Sequence, residues 1–126
     1  MTTSNILVLG ATGYIGGRLV PRLLAQHHGV RCLVRSPKKL AGKTWNNVEI
    51  VHGDVLRPET LSQAFQGIDV LFYLIHSMTG GDKQFERNDR TAAENVAQAA
   101  SLSSVKRIIY LGGLGDRSSM QSPHLR

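Results

Sequence analysis

Three glycines that follow a short apolar segment restrict the fold of this chain more than any other feature of its sequence. Residues 5–10 form a short, almost wholly apolar run that ends in Gly10, which is typical of a strand buried on both faces of a sheet. Gly13 and Gly16 follow, and apolar residues then recur at helical spacing at positions 15, 19, 23 and 24. A buried strand, a glycine turn and an amphipathic helix in this order predict the start of a βαβ unit.

The same alternation of strand and helix patterns continues along the rest of the chain. The patterns predict further strands at residues 30–34, 48–52, 69–75 and 106–111, and further helices at residues 36–40, 58–67 and 83–103. Strands that are separated by helices require right-handed crossovers and a parallel sheet. The sequence therefore predicts an α/β fold, in which a doubly wound parallel sheet of five strands has helices on both faces.

Single residues add three expectations about the helices. Pro21 lacks a backbone N–H and crowds the carbonyl group of Gly17, four residues earlier, so we expect a local bend in the first helix. Gly29 is expected to end that helix in the left-handed conformation. The last helix is expected to bury its apolar residues, Phe85, Ala92, Val96, Ala99 and Ala100.

Composition excludes several other classes of protein. Apolar residues make up 41% of the chain and charged residues 19%, which excludes a disordered chain. The longest apolar stretch, residues 70–75, is far too short to span a membrane. The one cysteine, Cys32, cannot form an intrachain disulfide, which favours a reducing, cytoplasmic setting. No cluster of Cys, His and Asp residues has metal-ligand spacing, so we expect no metal site.

The net charge of +6 arises from 15 Lys and Arg residues against 9 Asp and Glu residues. Such an excess favours an anionic partner, and both a nucleic acid and a phosphate-bearing cofactor are anionic. The basic residues are scattered along the chain and are not interleaved with the aromatic ones. A solvated basic surface is therefore favoured over a nucleic-acid interface.

The placement of the glycines predicts a dinucleotide-binding loop. Gly10 permits a tight turn, Gly13 lets the backbone approach a pyrophosphate, and Gly16 lets the helix pack closely on the strand. The helix N-terminus offers unpaired N–H groups and a positive dipole to the phosphates. A turn that serves packing alone is the competing interpretation. A P-loop is excluded because residues 16–19 lack the Gly-Lys-Ser/Thr that it requires.

The residues after the second strand favour NADP over NAD. Sites that prefer NAD usually carry Asp or Glu at the end of this strand, to bind the ribose hydroxyls. Here Arg35 follows Val34, with Lys38 and Lys39 one turn later. A cation at this position suits a 2′-phosphate, whereas a solvated basic loop is the alternative interpretation.

Asp54 and Val55, after the third strand, are candidates for adenine binding. The Asp54 carboxylate is placed to accept a hydrogen bond from the adenine amino group, and the Val55 amide is placed to serve the ring nitrogen. An Asx turn that leads into the helix at Pro58 is the alternative interpretation.

Five segments together resemble the short-chain dehydrogenase/reductase superfamily, and within it the extended and atypical branch of NmrA-like and NAD-dependent epimerase/dehydratase-like proteins. These segments are Gly10–Gly16, Leu33–Ser36, Gly53–Val55, Phe72–Met78 and Ile108–Gly115. The resemblance implies an NAD(P)-binding Rossmann domain with strand order 3-2-1-4-5, and a cofactor contact after the fourth strand. With the loop residues above, the expected cofactor-binding set is Gly10, Thr12, Gly13, Tyr14, Ile15, Gly16, Arg35, Asp54, Val55, Leu74 and His76.

The catalytic pattern of the superfamily is missing from this sequence. Its reductases use Tyr-x-x-x-Lys and a Ser after the fifth strand, whereas Tyr14, Tyr73 and Tyr110 have no Lys four residues later. His124 falls roughly where the Tyr is expected, and a histidine transfers protons near neutral pH. His124 is therefore a catalytic candidate, although a solvated loop histidine is the favoured interpretation.

We expect residues 1–126 to be the NAD(P)-binding Rossmann domain of a longer protein. The predicted strands stop before the sixth strand that this fold usually has.

Two functions are compatible with such a domain. The first function is the cofactor half of an NADP-dependent oxidoreductase or epimerase-like enzyme, with a small-molecule substrate. The second is a non-catalytic NADP(H)-sensing regulator, which the missing catalytic residues favour. A homo-oligomer is left open.

Overall fold

The computed structural model describes residues 3–36, 47–75 and 83–111 of the chain. The strands are β1 (Asn5–Leu9), β2 (Gly29–Val34), β3 (Val48–His52), β4 (Val70–Tyr73) and β5 (Arg107–Tyr110). The helices are α1 (Tyr14–Ala25), the short α2 (Leu61–Ala64), which follows a 3-10 turn at Pro58–Thr60, and α3 (Lys83–Ser101). The predicted helix at residues 36–40 falls largely outside the described residues. None of the described helices is long and apolar enough to cross a membrane.

The five strands form one parallel sheet in the order β3-β2-β1-β4-β5. In the central strand β1, Ile6 is aligned with Val30 of β2 on one side and with Val70 of β4 on the other. Residues 6–9 are all buried, as the apolar run requires for a strand with neighbours on both edges and helices on both faces. The structure thus confirms the predicted fold class and the strand order 3-2-1-4-5.

Alternating side chains of β1 enter two separate cores on opposite faces of the sheet. Val8 packs in a cluster with Val20 of α1, whereas Leu7 packs in a cluster with Val96 of α3. Ala92, Val96 and Ala100 of α3 are buried, as helical spacing predicts. Phe85 lies outside the residues whose side chains are described. One helical layer on each face makes the sheet doubly wound.

The prediction for Gly29 is wrong, because α1 ends four residues earlier. The N–H of His28 donates to the Leu23 carbonyl (3.2 Å) and that of His27 to the Leu24 carbonyl (2.9 Å), which is a Schellman motif. The left-handed residue of this motif is His27, with φ 66°. Gly29 instead opens β2 and lies against Asn5, whose side-chain oxygen a Cβ at Gly29 would approach to 2.6 Å.

Arg31 of β2 ties the sheet to the carboxyl end of α2. Its Nη1 donates to the carbonyl oxygens of Ala64 (2.8 Å) and Gln66 (2.7 Å), and its Nε donates to Glu49 Oε1 (2.8 Å). The last carbonyls of a helix lack intrahelical partners, and a cation beside them interacts favourably with the negative end of the helix dipole. One of the scattered basic residues therefore has a structural role.

We predict that Arg31→Met lowers the free energy of unfolding by about 1–3 kcal/mol, because two carbonyls lose a charged donor. Urea unfolding followed by circular dichroism measures the change. Glu49→Gln is the matched control, since a carboxylate that is 61% exposed contributes less than about 1 kcal/mol through an ion pair. An equal loss in both variants would contradict the helix-capping role of Arg31.

Candidate functional site

A cleft of about 590 Å³ opens at the carboxyl edge of the sheet. In a parallel sheet the carboxyl ends of the strands meet at one edge, where the loops that follow them form the binding crevice. The described residues that line the cleft follow or end β1, β2, β3 and β4. They are Gly10, Ala11, Thr12, Gly13, Tyr14, Ile15, Leu33, Val34, Arg35, Ser36, Gly53, Asp54, Val55, Leu74 and Ile75.

Two of the three motif glycines are required by the fold itself. Gly10 has φ +94°, and a Cβ there would lie 3.0 Å from the Leu74 carbonyl carbon. A Cβ at Gly16 would lie 2.4 Å from the Gly10 carbonyl oxygen and 2.6 Å from the Ala11 Cα. Gly16 is buried beneath the cleft rather than lining it. These two residues let α1 begin directly against the end of β1.

Gly13 has no comparable reason to be glycine. Its φ of −81° and ψ of 179° are open to any residue. A Cβ there would meet only the Gly10 carbonyl oxygen, at an ordinary contact distance of 3.4 Å. Gly13 is exposed in the cleft, so its missing side chain leaves bare backbone at the site.

The first turn of α1 presents its backbone to the same cleft. Gly13 is the N-cap residue, no side chain caps the helix, and its first turn contains no acidic residue. The first N–H groups of a helix lack intrahelical partners, and the helix dipole makes this end positive. The geometry suits an anion. Tyr14, 75% exposed, is stacked under the Arg18 guanidinium, 4.3 Å from the ring centroid.

Arg35 stands at the other end of the cleft, directly after β2. The β2–β3 ladder ends at Val34, which is aligned with His52. The Arg35 side chain is exposed, and no carboxylate among residues 3–36, 47–75 and 83–111 pairs with it. A cation therefore lines the cleft at the position where the sequence predicts a 2′-phosphate. Lys38 and Lys39 lie outside the described residues.

The turn after β3 is held by its own side chains. Asp54 Oδ1 accepts from the Leu56 N–H (2.9 Å), so the Asx turn that the sequence left as an alternative is present. Thr60 Oγ1 accepts from the Asp54 N–H (3.0 Å), and its hydroxyl hydrogen has two acceptors within reach, the carbonyl oxygens of Arg57 (2.8 Å) and Asp54 (3.0 Å). Asn95 Nδ2 of α3 donates to the Val55 carbonyl (2.8 Å). The adenine-binding role of Asp54 and Val55 stays a prediction.

Most of the predicted cofactor-binding residues come together in this cleft, and some of its residues were missed. The residues that line the cleft without having been predicted are Ala11, Leu33, Val34, Ser36 and Gly53, whereas Ile75 lies within the predicted contact at residues 74–76. All five lie in the last two residues of a strand or in the loop that follows it, so strand-end position alone could have identified them. His76 and His124 lie outside the described residues, and their roles stay predictions.

Three titratable groups of the sheet, Tyr73, Tyr110 and Cys32, are poorly suited to acid–base catalysis at neutral pH. Burial, together with the neighbouring Tyr110 and Asp89, raises the pKa of Tyr73 to about 12. Burial and Asp89 also raise the pKa of Tyr110, whose ring centroid lies 5.4 Å from that of Tyr73. Burial raises the pKa of the Cys32 thiol to about 12. Within the described part of the chain, no group of three His, Cys, Asp or Glu residues could hold a metal ion.

Comparison with known proteins identifies the family of this chain. The photosystem II assembly factor Ycf39 of Synechocystis is 32% identical over 107 residues, which cover 84% of this chain and 32% of that protein. A 3β-hydroxysteroid dehydrogenase/Δ5→4-isomerase of Mycobacterium tuberculosis is 31% identical over 115 residues, which cover 84% of this chain and 30% of that protein. The chain therefore spans about a third of the length of these relatives.

A solved structure leads to the same superfamily. A nucleoside-diphosphate-sugar epimerase from Staphylococcus aureus superposes with a TM-score of 0.70 at 28% identity, covering 86% of this chain and 37% of the other. The family model described as NAD(P)H-binding matches residues 10–125. With the glycine turn and the strand order in place, the chain belongs to the NAD(P)H-binding family, within the superfamily of short-chain dehydrogenases/reductases and epimerases.

Proposed function

We propose that the cleft binds NADP(H) in preference to NAD(H). The first turn of α1 would hold the pyrophosphate, Arg35 the 2′-phosphate, and Asp54 with Val55 the adenine. The observation that carries the proposed dinucleotide binding is Gly13, where a Cβ would meet only the Gly10 carbonyl oxygen, at an ordinary contact distance of 3.4 Å, but would fill the space beside the helix N-terminus that a phosphate requires. The bound cofactor would supply or accept a hydride at its nicotinamide ring.

We predict that Gly13→Val weakens NADPH binding by roughly 10- to 100-fold while the domain stays folded, because a branched side chain overpacks the phosphate site. Calorimetric titration measures the affinity and circular dichroism checks the fold. Gly16→Ala is the matched control: a Cβ 2.4 Å from the Gly10 oxygen should lower the melting temperature. Unchanged NADPH affinity in a native-like Gly13→Val would mean that the turn serves packing alone.

The preference for NADP(H) rests on Arg35. An exposed guanidinium without a carboxylate partner in the described residues is available to bind a phosphate through two hydrogen bonds. Neither Val34 nor Arg35, at the end of β2, is the acidic residue that would favour the ribose hydroxyls of NAD.

We predict that Arg35→Ala lowers NADP⁺ affinity by about 10- to 100-fold, because hydrogen bonds to a charged group contribute about 1.5–3 kcal/mol. The affinity for NAD⁺, which lacks the 2′-phosphate, should change less than about twofold. Titration of both nucleotides into both proteins measures the difference. Equal affinities of the wild-type chain for NADP⁺ and NAD⁺ would contradict the assignment.

We further propose that the chain is the cofactor-binding part of a longer oxidoreductase or epimerase-like enzyme of a reducing, cytoplasmic compartment. A relative named as a dehydrogenase/isomerase supports this function. The second candidate is a non-catalytic protein that uses the dinucleotide as a signal, such as an assembly factor. It is supported by the relative named as one, and by the sequence, which has no Tyr-x-x-x-Lys.

We predict that the 126-residue chain alone oxidises no NADPH with a panel of aldehydes, ketones and quinones. Hydride transfer requires the two carbons in near-attack geometry, and a positioned proton donor adds a factor of about 10²–10⁴. The buried Tyr73 and the partly buried Tyr110 both have a raised pKa, so both are poor proton donors at neutral pH. NADPH absorbance is the measurement.

Two variants distinguish a contaminating enzyme from the chain itself as the source of any turnover that is observed. Activity that is undiminished in Gly13→Val at an NADPH concentration below the affinity of that variant comes from a contaminant, because the variant should bind the cofactor far more weakly than the wild type. Activity that is lost in both Gly13→Val and His124→Ala would contradict the prediction, and would identify His124 as the acid.

A further inference from the structure

We propose that His52 is a positioning residue that gives the cleft part of its selectivity for a 2′-phosphorylated nucleotide, by holding the backbone from which Arg35 extends. The inference rests on the proposed NADP(H) function. His52 is the last residue of β3, and its side chain is exposed. Its Nε2 lies 3.0 Å from the Arg35 carbonyl oxygen.

Backbone pairing between β2 and β3 stops just before Arg35. Val34 is the last residue of β2 aligned with β3, and its carbonyl oxygen accepts from the Gly53 N–H at 3.1 Å. The Arg35 carbonyl, one residue later, has left the ladder. The His52 imidazole reaches this carbonyl and so extends the attachment of the β2 end to β3 by one residue.

The chemistry of the contact fixes which ring atom donates. A carbonyl oxygen only accepts hydrogen bonds, so His52 Nε2 must carry the hydrogen. His52 is not among the described residues that line the cleft. An effect of His52 on a nucleotide in the cleft would therefore be indirect, and its hydrogen bond to the Arg35 carbonyl is the route that the double-mutant cycle below tests.

Fixing the Arg35 backbone reduces the freedom of a long, exposed side chain. An arginine must lose rotamer freedom to bind a phosphate through two hydrogen bonds, and a mobile backbone adds to that cost. The Gly53 N–H holds the Val34 carbonyl and the His52 imidazole holds the Arg35 carbonyl. With its backbone fixed in this way, the Arg35 guanidinium samples a smaller region of the cleft. This preorganisation favours a nucleotide with a 2′-phosphate and leaves one without it unaffected.

A pair of variants of equal length tests the hydrogen bond. In His52→Gln the side-chain amide nitrogen occupies nearly the position of Nε2 and keeps a donor, whereas His52→Met has the same reach and no donor. Loss of one hydrogen bond corresponds to about a two- to tenfold change in affinity. We expect His52→Met to lower NADP⁺ affinity by about this factor and His52→Gln to restore it.

The ligands separate selectivity from general binding. Calorimetric titrations use NADP⁺, NAD⁺, adenosine 2′,5′-bisphosphate and adenosine 5′-monophosphate with the full chain. We expect His52→Met to weaken the two 2′-phosphorylated ligands alike and to change the other two by less than about twofold. Melting temperatures of the variants check that the fold is intact.

A double-mutant cycle tests whether His52 acts through Arg35. In an Arg35→Ala background, His52→Met should leave the affinity for adenosine 2′,5′-bisphosphate unchanged. A loss of the same size in both backgrounds would overturn the inference, and so would equal losses for NADP⁺ and NAD⁺ or no loss at all. A wild-type chain that binds neither dinucleotide, or both equally, would instead overturn the proposed function and this inference with it.

Discussion

The close packing of α1 on the turn after β1 is the contact on which the rest of the site depends. The helix begins directly against the strand end, at a distance that a side chain at Gly16 would prevent. Because β1 is the central strand, this contact brings the positive end of α1 to the middle of the carboxyl edge. The loops after β2, β3 and β4 then surround a helix terminus that already favours an anion.

Within the loops around the cleft, the residues that the fold requires differ from the residues that are left available for a ligand. Gly10 and Gly16 meet neighbouring backbone at once if a Cβ is added, whereas Gly13 meets almost nothing. The turn after β3 shows the same division, since Thr60 and Asn95 hold the backbone of Asp54 and Val55 from outside the cleft. Supporting contacts of this kind leave the lining residues available for a ligand.

The fold was predictable from sequence because its strongest signals are local. The apolar run of β1 and the glycine spacing are short local patterns, the alternation of strands and helices predicts a parallel sheet, and the strand order came from the resemblance to a known superfamily. The end of α1 was not predictable in detail, because His27 takes the left-handed position that the sequence suggested for Gly29. The supporting contacts of Arg31 and Asn95 depend on packing between distant segments, and no short pattern indicates them.

The single cysteine can report how often the sheet opens. Cys32 lies in β2 and has no exposed surface, and burial raises its pKa to about 12. Since the thiolate is the reactive form, an alkylating reagent reaches it only in states where the sheet has opened. A ligand that binds the folded state reduces the population of open states in proportion to its saturation. Arg35 directly follows the same strand, so the rate of thiol labelling should register occupancy of the cleft without any optical signal from a nicotinamide ring.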